Sequence, residues 1–252
     1  MKIDIVTAGC GGIGAEITKY LLKKDHLVIP TTRTYDNGDK FLESLREKYK
    51  NNCNPIVLSL DKQETIDNMI AGIKEKYGRI NNLINCAVCR DKLENSYELN
   101  MVEWEKHYRI NVFGTSYLSA NVAEKLICNN GSIVNISSFY SENIPDDRVY
   151  DDGTIPTSLI YASSKAALDY ITKYMAVKYA KKGITVNAVL AGGVKNELRQ
   201  TDSFVEKYCY RTPMDRMARA DEFNKAVEFF ISDENRYCTG QLVSIDGGWG
   251  LL

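Results

Sequence analysis

Short β-rich apolar runs alternate with amphipathic helical stretches along nearly all of the 252-residue chain. This alternation predicts parallel strands joined by right-handed crossovers, because each helix must return the chain to the same end of the sheet. We therefore expect an α/β fold, with one doubly wound, mostly parallel seven-stranded sheet and helices on both faces. The predicted strands cover residues 3–7, 27–31, 56–60, 82–85, 132–136, 185–189 and 242–245.

The stretch 63–77 shows how the helices are recognised. Its apolar residues recur at steps of three and four, which places them on one buried face: Ile66, Met69, Ile70, Ile73 and Tyr77. Gly78 then ends the predicted helix. The sequence contains no repeat and no Pro/Gly-rich linker, so we expect residues 1–252 to form a single domain whose ligands bind beyond the carboxyl ends of the strands.

The charge balance excludes several classes of partner. A net charge of −1 gives no electrostatic reason to bind nucleic acid or an anionic membrane, and no stretch approaches the roughly 18 apolar residues of a membrane span. The first predicted strand begins within two residues of Met1, which leaves no room for a cleavable signal segment. We expect a cytoplasmic protein that acts on a small molecule.

The cysteines point to reduced thiols. Their number, seven, is odd, and they are scattered along the chain, unlike the framework of a disulfide-stabilised protein. Cys86 and Cys89 have the spacing of a redox or zinc pair, but no second pair accompanies them, and the chain has only two histidines, His26 and His107. We expect no metal ion.

Residues 7–14 form a glycine-rich turn between the first strand and the first helix. Small residues at such a turn let backbone amides and the helix N-terminus approach a diphosphate. A glycine-rich run alone is also compatible with a tight turn that binds nothing, so this motif needs support from others.

Tyr161 and Lys165 lie at the start of a predicted helix, four residues apart, so both side chains share one face. A nearby cation stabilises a phenolate, which lets a tyrosine pass a proton to or from a substrate oxygen. Taken alone, the same spacing is more often that of a surface pair. The order of the surrounding motifs decides between these interpretations.

Over essentially its whole length the sequence resembles the short-chain dehydrogenase/reductase family. The resemblance is carried by the following matches, in the order of the family: residues 7–14 for Thr-Gly-x-x-x-Gly-Ile-Gly, Asp61 for the post-strand aspartate, residues 85–88 for Asn-Asn-Ala-Gly, Asn111 for the helix asparagine, Ser138 for the serine, Tyr161 and Lys165 for Tyr-x-x-x-Lys, and residues 239–241 and 246–248 near the C-terminus. The resemblance implies a single-domain Rossmann fold.

It also implies the roles of the site residues. Ser138 would hydrogen-bond the substrate oxygen, Tyr161 would act as general acid or base, and Lys165 and Asn111 would form the proton relay. The cofactor-binding positions would be Thr7, Gly9, Gly12, Ile13, Gly14, Thr32, Arg33, Asp61, Asn85, Ala87, Tyr161, Lys165, Gly192, Val194 and Asn196. Relatives assemble through the helices that carry Asn111 and Tyr161, so a homo-oligomer, a tetramer or a dimer, is expected.

Four positions depart from the family pattern. Ala8 replaces the first glycine, so the diphosphate loop needs an adjusted path unless Gly9 absorbs the turn. Cys86 and Val88 make the wall after the fourth strand bulkier. Asn196 stands where the family has a threonine near the nicotinamide.

The second strand ends at Thr32 and Arg33, without the acidic residue that would bind a free ribose 2′-hydroxyl. Arg33 could bind a 2′-phosphate, so NADP(H) is favoured as the cofactor. NAD(H) remains possible, because Asp36 could turn back toward the ribose.

Residues 140–158 are expected to form an inserted acidic loop beside the active site, since Tyr161 follows Ser138 by more residues than in most relatives. Its acidic charge would suit a sugar or another hydroxyl-rich substrate. Residues 150–154, Pro156 and residues 192–194 also resemble reductases of bacterial surface-sugar (nonulosonic acid) pathways. The alternatives are a 3-oxoacyl-thioester reductase and a non-catalytic NADP(H)-sensing protein.

Overall fold

The computed structural model describes residues 1–34, 39–90, 100–151, 156–196 and 200–252. Seven parallel strands form one sheet in the order β3-β2-β1-β4-β5-β6-β7, which confirms the predicted doubly wound topology. The strands are β1 (Ile3–Thr7), β2 (Leu27–Thr32), β3 (Ile56–Val57), β4 (Ile80–Asn85), β5 (Ile127–Ser138), β6 (Thr185–Ala191) and β7 (Leu242–Ile245).

Helices cover both faces of the sheet. They are α1 (Gly12–Lys23), α2 (Asp39–Tyr49), α3 (Gln63–Tyr77), α4 (Met101–Tyr108), α5 (Thr115–Lys125), α6 (Leu159–Tyr179), α7 (Asp202–Arg211) and α8 (Asn224–Ile231). The apolar residues of α3, α5 and α6 share one core cluster, and those of α1, α2 and α8 share the other. In the part of the chain that the structure describes, no helix is both long and apolar enough to cross a bilayer.

The central strands are buried on both sides, which explains their near-continuous apolar sequences. Successive residues of one strand point to opposite faces. Ile5 of β1 and Leu83 of β4 therefore belong to the first cluster, while Val6 and Ile84 belong to the second. Burying both faces fixes the register and hence the alignment of the strand ends.

The edge strand β3 is shorter than the predicted 56–60. Leu58 still donates its N–H to the carbonyl of Thr32, at 2.8 Å, but the N–H of Ser59 turns to the hydroxyl of Thr65, at 3.2 Å. That hydroxyl also donates to the Ser59 carbonyl, at 2.6 Å. The backbone of Ser59 is thus bound to helix α3, and the ladder ends.

Strand β5 is longer than the predicted 132–136. It begins at Ile127, which pairs with Ile80, and the register shifts before Ser132 pairs with Asn82. At its other end β5 continues to Ser138, opposite Ala191 of β6. The carboxyl ends of β1, β4, β5 and β6 therefore lie together at one edge of the sheet, where an open parallel sheet binds its ligands.

Candidate active site

Tyr161 and Lys165 are placed by the first turns of α6. The hydroxyl of Ser158 caps this helix by accepting the N–H of Tyr161, at 3.2 Å. Lys165 is only 3% exposed, and its Nζ donates to the carbonyl oxygen of Ile136 in β5, at 2.9 Å. The two residues are therefore not a surface pair, because the lysine is anchored on the sheet.

Burial lowers the pKa of the Lys165 ammonium. Electrostatic interactions with Tyr161, Asp169 and Cys86 act in the opposite direction and favour the protonated form, while the Arg90 cation opposes it. The state of Lys165 is thus balanced between desolvation and its neighbours.

Ser138 is the last residue of β5, two residues beyond the carbonyl that holds Lys165. Its side chain is buried, and its hydroxyl oxygen accepts the N–H of Tyr140, at 3.2 Å. A hydroxyl that accepts in this way keeps its own hydrogen for donation. The carbonyl of Ser138 is also hydrogen-bonded by the turn of residues 139–141, because it accepts from the Ser141 hydroxyl at 2.6 Å.

Asn111 lies in a π-helical segment, Arg109–Gly114, between α4 and α5. Its side-chain oxygen accepts from the N–H of Cys89, at 2.7 Å, and its amide nitrogen donates to the carbonyl of Cys89, at 3.1 Å, and to the hydroxyl of Ser164, at 3.0 Å. One buried amide therefore joins the segment after β4 to α6, next to Lys165. π-Helical turns of this kind occur frequently at functional sites.

Thr7, Asn85 and Ala87 meet at the ends of β1 and β4. The Thr7 hydroxyl accepts the N–H groups of Cys86, at 2.9 Å, and Ala87, at 3.0 Å. Asn85 is buried and donates to Ser119, at 2.9 Å, and to Asn135, at 2.8 Å. Burial raises the pKa of the Cys86 thiol to about 12, so this cysteine is a neutral wall residue.

The glycine-rich turn leaves space above the first turn of α1. Gly11 and Gly12 are exposed and a Cβ at either would meet open space, whereas a Cβ at Gly9 or Gly14 would collide with Pro30 or with the Ala8 carbonyl. Among the described residues no side chain caps α1. Its first N–H groups, including that of Ile13, are therefore free of side-chain caps, as an anion site at a helix N-terminus requires.

Ala8 itself adopts the left-handed conformation, with φ of 49°. The turn is therefore made at the substituted position and is not absorbed by Gly9, whose N–H donates to the Thr31 carbonyl at 3.0 Å. The adjusted loop carries strain, since this conformation costs an alanine about 1–2 kcal/mol.

The end of β2 opens on a second part of the cleft, with a volume of about 340 Å³. Thr32 is buried and donates to the Thr34 carbonyl at 2.7 Å, while Arg33 is exposed. Arg33 and Asp61 line this space together with Lys106 and Arg109. Asp36 lies outside the described residues. The sequence indicated one cation here, whereas the structure brings together three, beside the carboxylates of Asp61 and Glu105.

The segment after β6 is tied to its surroundings by backbone bonds. The N–H of Gly192 donates to the Ile245 carbonyl, at 2.9 Å, and Val194 forms a bridge with Ala218. Asn196 is exposed, and its N–H donates to Gln200, at 2.7 Å. These residues border the same strand end as Ser138, since β6 pairs with β5.

The segment of residues 139–151 covers this end of the sheet together with α7. Its apolar contact is an aromatic-rich cluster comprising Phe139, Tyr140, Val149, Tyr208, Met217 and Trp249. Tyr208 of α7 accepts the N–H of Gly193 on its hydroxyl, at 2.8 Å, and a Cβ at Gly193 would lie 2.6 Å from that oxygen. Burial raises the pKa of Tyr208.

Two aspartates of this acidic segment are neutralised within the protein. Asp146 accepts from Arg148 at 2.7 and 2.8 Å, and Arg211 lies 3.5 Å away. Asp151 accepts from the Ser203 hydroxyl at 2.6 Å and from Lys207 at 3.1 Å. Hydrogen bonds from Arg148 and from Ser203 are the main reasons why the pKa of each carboxyl falls to about 2. These charges bind α7, so the argument that they select a hydroxyl-rich substrate is not supported.

Sequence reasoning missed two charged residues of the site. Asp169 lies one turn beyond Lys165 and is buried, which raises the pKa of its carboxyl against the effects of Ser137, Ser141 and Lys165. Its spacing from Lys165 could have revealed it. The guanidinium of Arg90 lies over the Tyr161 ring, 5.5 Å from the centroid, and no sequence signal indicated this contact.

Among the described residues, no group of three or more histidine, cysteine, aspartate or glutamate side chains could hold a metal ion. Cys86 and Cys89, which have metal-ligand spacing, belong to no such group in the described part of the chain.

The chain is similar to known proteins along nearly its whole length. A family model described as enoyl-(acyl carrier protein) reductase matches residues 8–250. The 3-oxoacyl-[acyl-carrier-protein] reductase of Thermotoga maritima is 29% identical over 251 residues, which cover 98% of this chain and 97% of that protein. The 7alpha-hydroxysteroid dehydrogenase of Clostridium sardiniense is 30% identical over 264 residues, which cover 99% of this chain and 94% of that protein.

Solved structures share the fold. ElxO with bound NADP is 28% identical, with a TM-score of 0.85 and coverage of 100% of this chain and 99% of that one. A short-chain dehydrogenase of Leptospira borgpetersenii with bound NAD+ is 26% identical, with a TM-score of 0.84 and coverage of 99% and 92%. The chain therefore belongs to the short-chain dehydrogenase/reductase family, as its motifs predicted, and is an NAD(P)-dependent oxidoreductase acting on CH–OH and C=O groups.

Proposed function

We propose that the protein interconverts a carbonyl compound and a secondary alcohol, with Tyr161 as the general acid or base. The observation that carries this proposal is the position of Lys165, which is buried, bonded to the carbonyl of Ile136 and one turn from Tyr161. A cation held in this way stabilises a phenolate and keeps it beside the strand end.

The remaining roles follow from the hydrogen bonds. Ser138 has a hydrogen left to donate to the substrate oxygen, because its own oxygen accepts from Tyr140. Both N–H groups of the Asn111 amide are engaged, so a water that links Lys165 to solvent would bind an oxygen of Asn111. When the nicotinamide is bound, it supplies the hydride chemistry.

The uncapped start of α1 and the exposed glycines fit a dinucleotide diphosphate. We assign the diphosphate to the turn of residues 7–14, the nicotinamide half to Asn85, Ala87, Tyr161, Lys165, Gly192, Val194 and Asn196, and the adenosine half to Thr32, Arg33 and Asp61. The cations Arg33, Lys106 and Arg109 in one cleft support NADP(H) as the favoured cofactor. Structural neighbours bind NADP and NAD+, so NAD(H) is the alternative.

The cofactor preference gives a first prediction. We expect kcat/KM to be at least about tenfold higher with NADPH than with NADH, because a guanidinium pairs strongly with a phosphate. Arg33→Ala should remove most of this preference by weakening NADPH alone. Steady-state kinetics with both cofactors measures it, and Arg46→Ala, an exposed arginine of α2, is the matched control. Equal values in the wild type would contradict the assignment.

The substrate class rests on fewer observations. With Asp146 and Asp151 neutralised, a sugar and a 3-oxoacyl thioester are both compatible with the site, and four 3-oxoacyl-[acyl-carrier-protein] reductases among the relatives support the second. Assays of NADPH oxidation with acetoacetyl thioesters and with keto-sugars separate the two. A protein that binds NADPH but turns over neither class, nor simple ketones, would instead fit the cofactor-sensing alternative.

We also propose a homo-oligomer, formed through the face of α4 to α6. Large apolar side chains are exposed there: Met101, Val102, Phe113, Tyr170, Tyr174 and Val177. Those of α6 recur at steps of four and three, so they form one stripe. Light scattering after size exclusion should give a dimeric or tetrameric mass, and Tyr174→Asp with Val177→Asp should lower it.

A further inference from the structure

We propose that Arg90 binds a carboxylate of the substrate next to the carbon at which Tyr161 transfers its proton. The substrate would then be an oxo or hydroxy compound that carries a carboxylate near the reacting carbon. This inference rests on the proposed function and names the substrate class of the same site.

The position of Arg90 is fixed from both sides. Cys89, the residue before it, has its N–H and its carbonyl both bound by the Asn111 amide, at 2.7 and 3.1 Å. The guanidinium lies over the ring of Tyr161, 5.5 Å from the centroid, and this ring is held by the capped start of α6. A substrate whose oxygen contacts the phenol therefore has the guanidinium within the reach of a neighbouring substituent.

The charge around Arg90 is not balanced within the described part of the protein. Among the described residues no carboxylate forms an ion pair with Arg90, and the same holds for Arg33, Arg46, Arg79 and Arg109, whereas five other arginines are paired with aspartate or glutamate: Arg148, Arg211, Arg216, Arg219 and Arg236. Asp146 and Asp151, two of the acidic groups of the segment beside the site, are bound to cations of their own, and Glu142 of the same segment acts on Asp169.

A second cation lies close by. Arg90 disfavours the protonated form of Lys165, which shows that the two charges act on each other across Tyr161. Two cations beside one phenol repel each other, and an anion bound at the exposed guanidinium relieves that repulsion. A neutral substrate would leave it in place.

The chemistry of the guanidinium favours a carboxylate. Its planar fork of N–H donors matches two carboxylate oxygens, and stacking on an aromatic ring leaves the donor edge free. A single arginine balances the single negative charge of a carboxylate, while a phosphate at neutral pH carries more charge than Arg90 alone can balance.

The test uses matched pairs of ligands that differ only in charge. Pyruvate, acetoacetate and levulinate are titrated calorimetrically against the enzyme saturated with NADP+, beside their methyl esters. For at least one pair the acid should bind about tenfold or more tightly than its ester. Arg90→Gln should abolish that difference and leave the affinities for the ester and for NADPH within about twofold.

Arg79→Gln is the control. Arg79 is exposed and lies just before β4, whereas Arg90 lies beyond the other end of that strand. It should keep the preference for the acid. If Arg90→Gln weakens acid and ester equally, or if no acid binds more tightly than its ester, the proposal is wrong. Stronger, Arg90-dependent binding of dihydroxyacetone phosphate would overturn the carboxylate assignment in favour of a phosphate.

Turnover separates this inference from the proposed function. Where an acid is reduced, Arg90→Gln should raise KM for the acid far more than KM for its ester, since only the acid loses a contact with the guanidinium. Absence of NADPH oxidation with every acid and ester would contradict the proposed function, while the binding data would still decide the role of Arg90.

Discussion

The two walls of the cleft are held in different ways. On the sheet side, Lys165 and Asn111 are buried and bonded to backbone atoms of Ile136 and Cys89. On the other side, the segment of residues 139–151 is held to α7 by side-chain bonds of Asp146 and Asp151, at or near the surface. The proton-transfer groups are thus held by backbone bonds in the core, whereas the segment of residues 139–151 is joined to α7 by an aromatic-rich cluster and by partly exposed ion pairs.

This difference predicts that the two walls affect different kinetic constants. Backbone bonds in the core are little affected by salt or pH, whereas exposed ion pairs are screened by salt and contribute little each. We therefore expect changes on the sheet side to alter kcat, and changes on the α7 side to alter KM.

The largest effect should come from Tyr161→Phe, which removes the proton donor and keeps the ring. We expect kcat to fall about 10²- to 10⁴-fold, the range for losing a general acid or base. The melting temperature and the Kd for NADPH should stay near the wild-type values. Stopped-flow kinetics on the variant measures kcat, and calorimetry measures the melting temperature and the Kd for NADPH. If kcat of Tyr161→Phe stays within a few-fold of the wild-type value, Tyr161 only packs in the site and does not transfer a proton.

Asp169→Asn should have an intermediate effect, through Lys165. The groups that act on this ammonium are Tyr161, Asp169, Cys86 and Arg90, and the first three favour its protonated form. Removing the Asp169 charge lowers the pKa of Lys165, so the alkaline limb of the kcat/KM profile should move to lower pH. We expect a loss of about fivefold on that limb, equivalent to roughly 1 kcal/mol.

Asp169 should also affect how the stability of the folded protein depends on pH. The pKa of Asp169 is raised in the folded protein, so wild-type stability falls as pH rises from the unfolded pKa to the folded one. Asp169→Asn should flatten that slope in chemical denaturation between mildly acidic and neutral pH. Asp67→Asn, on helix α3 away from the site, is the control. An unchanged slope would contradict the assignment of the burial effect to Asp169.

The smallest effect should come from Asp151→Asn, on the α7 side. We expect KM to rise about threefold with kcat unchanged, because the contact with Lys207 weakens while the hydroxyl bonds persist. The pKa of Asp151 is lowered to about 2, so its contribution is present above the unfolded pKa and is lost only as pH falls toward 2. The salt dependence of KM should shrink in the variant. An effect on kcat would show that the two walls are coupled.

The sequence predicted those residues of the cleft whose positions depend on short stretches of the chain. The turn of residues 7–14, the Tyr161–Lys165 spacing and the strand that carries Ser138 follow from short-range patterns, and the structure brings them to one edge of the sheet. Their catalytic and binding roles remain predictions, which the variants above test.

The rest depends on contacts between distant parts of the chain. The Arg90 contact with Tyr161 spans the loop after β4 and the start of α6, and the neutralisation of Asp151 depends on α7. Neither pairing leaves a periodic pattern. The end of β3 was also missed, because the Thr65 hydroxyl competes for the Ser59 backbone, and a strand propensity does not report such competition.

The contact between Gly193 and Tyr208 limits how this protein can diversify. The phenol oxygen occupies the place that a side chain at position 193 would need, so Gly193 can gain a side chain only where Tyr208 is moved or replaced. Among descendants of this chain, the two positions should covary. An engineer who introduces a side chain at position 193 must also replace Tyr208.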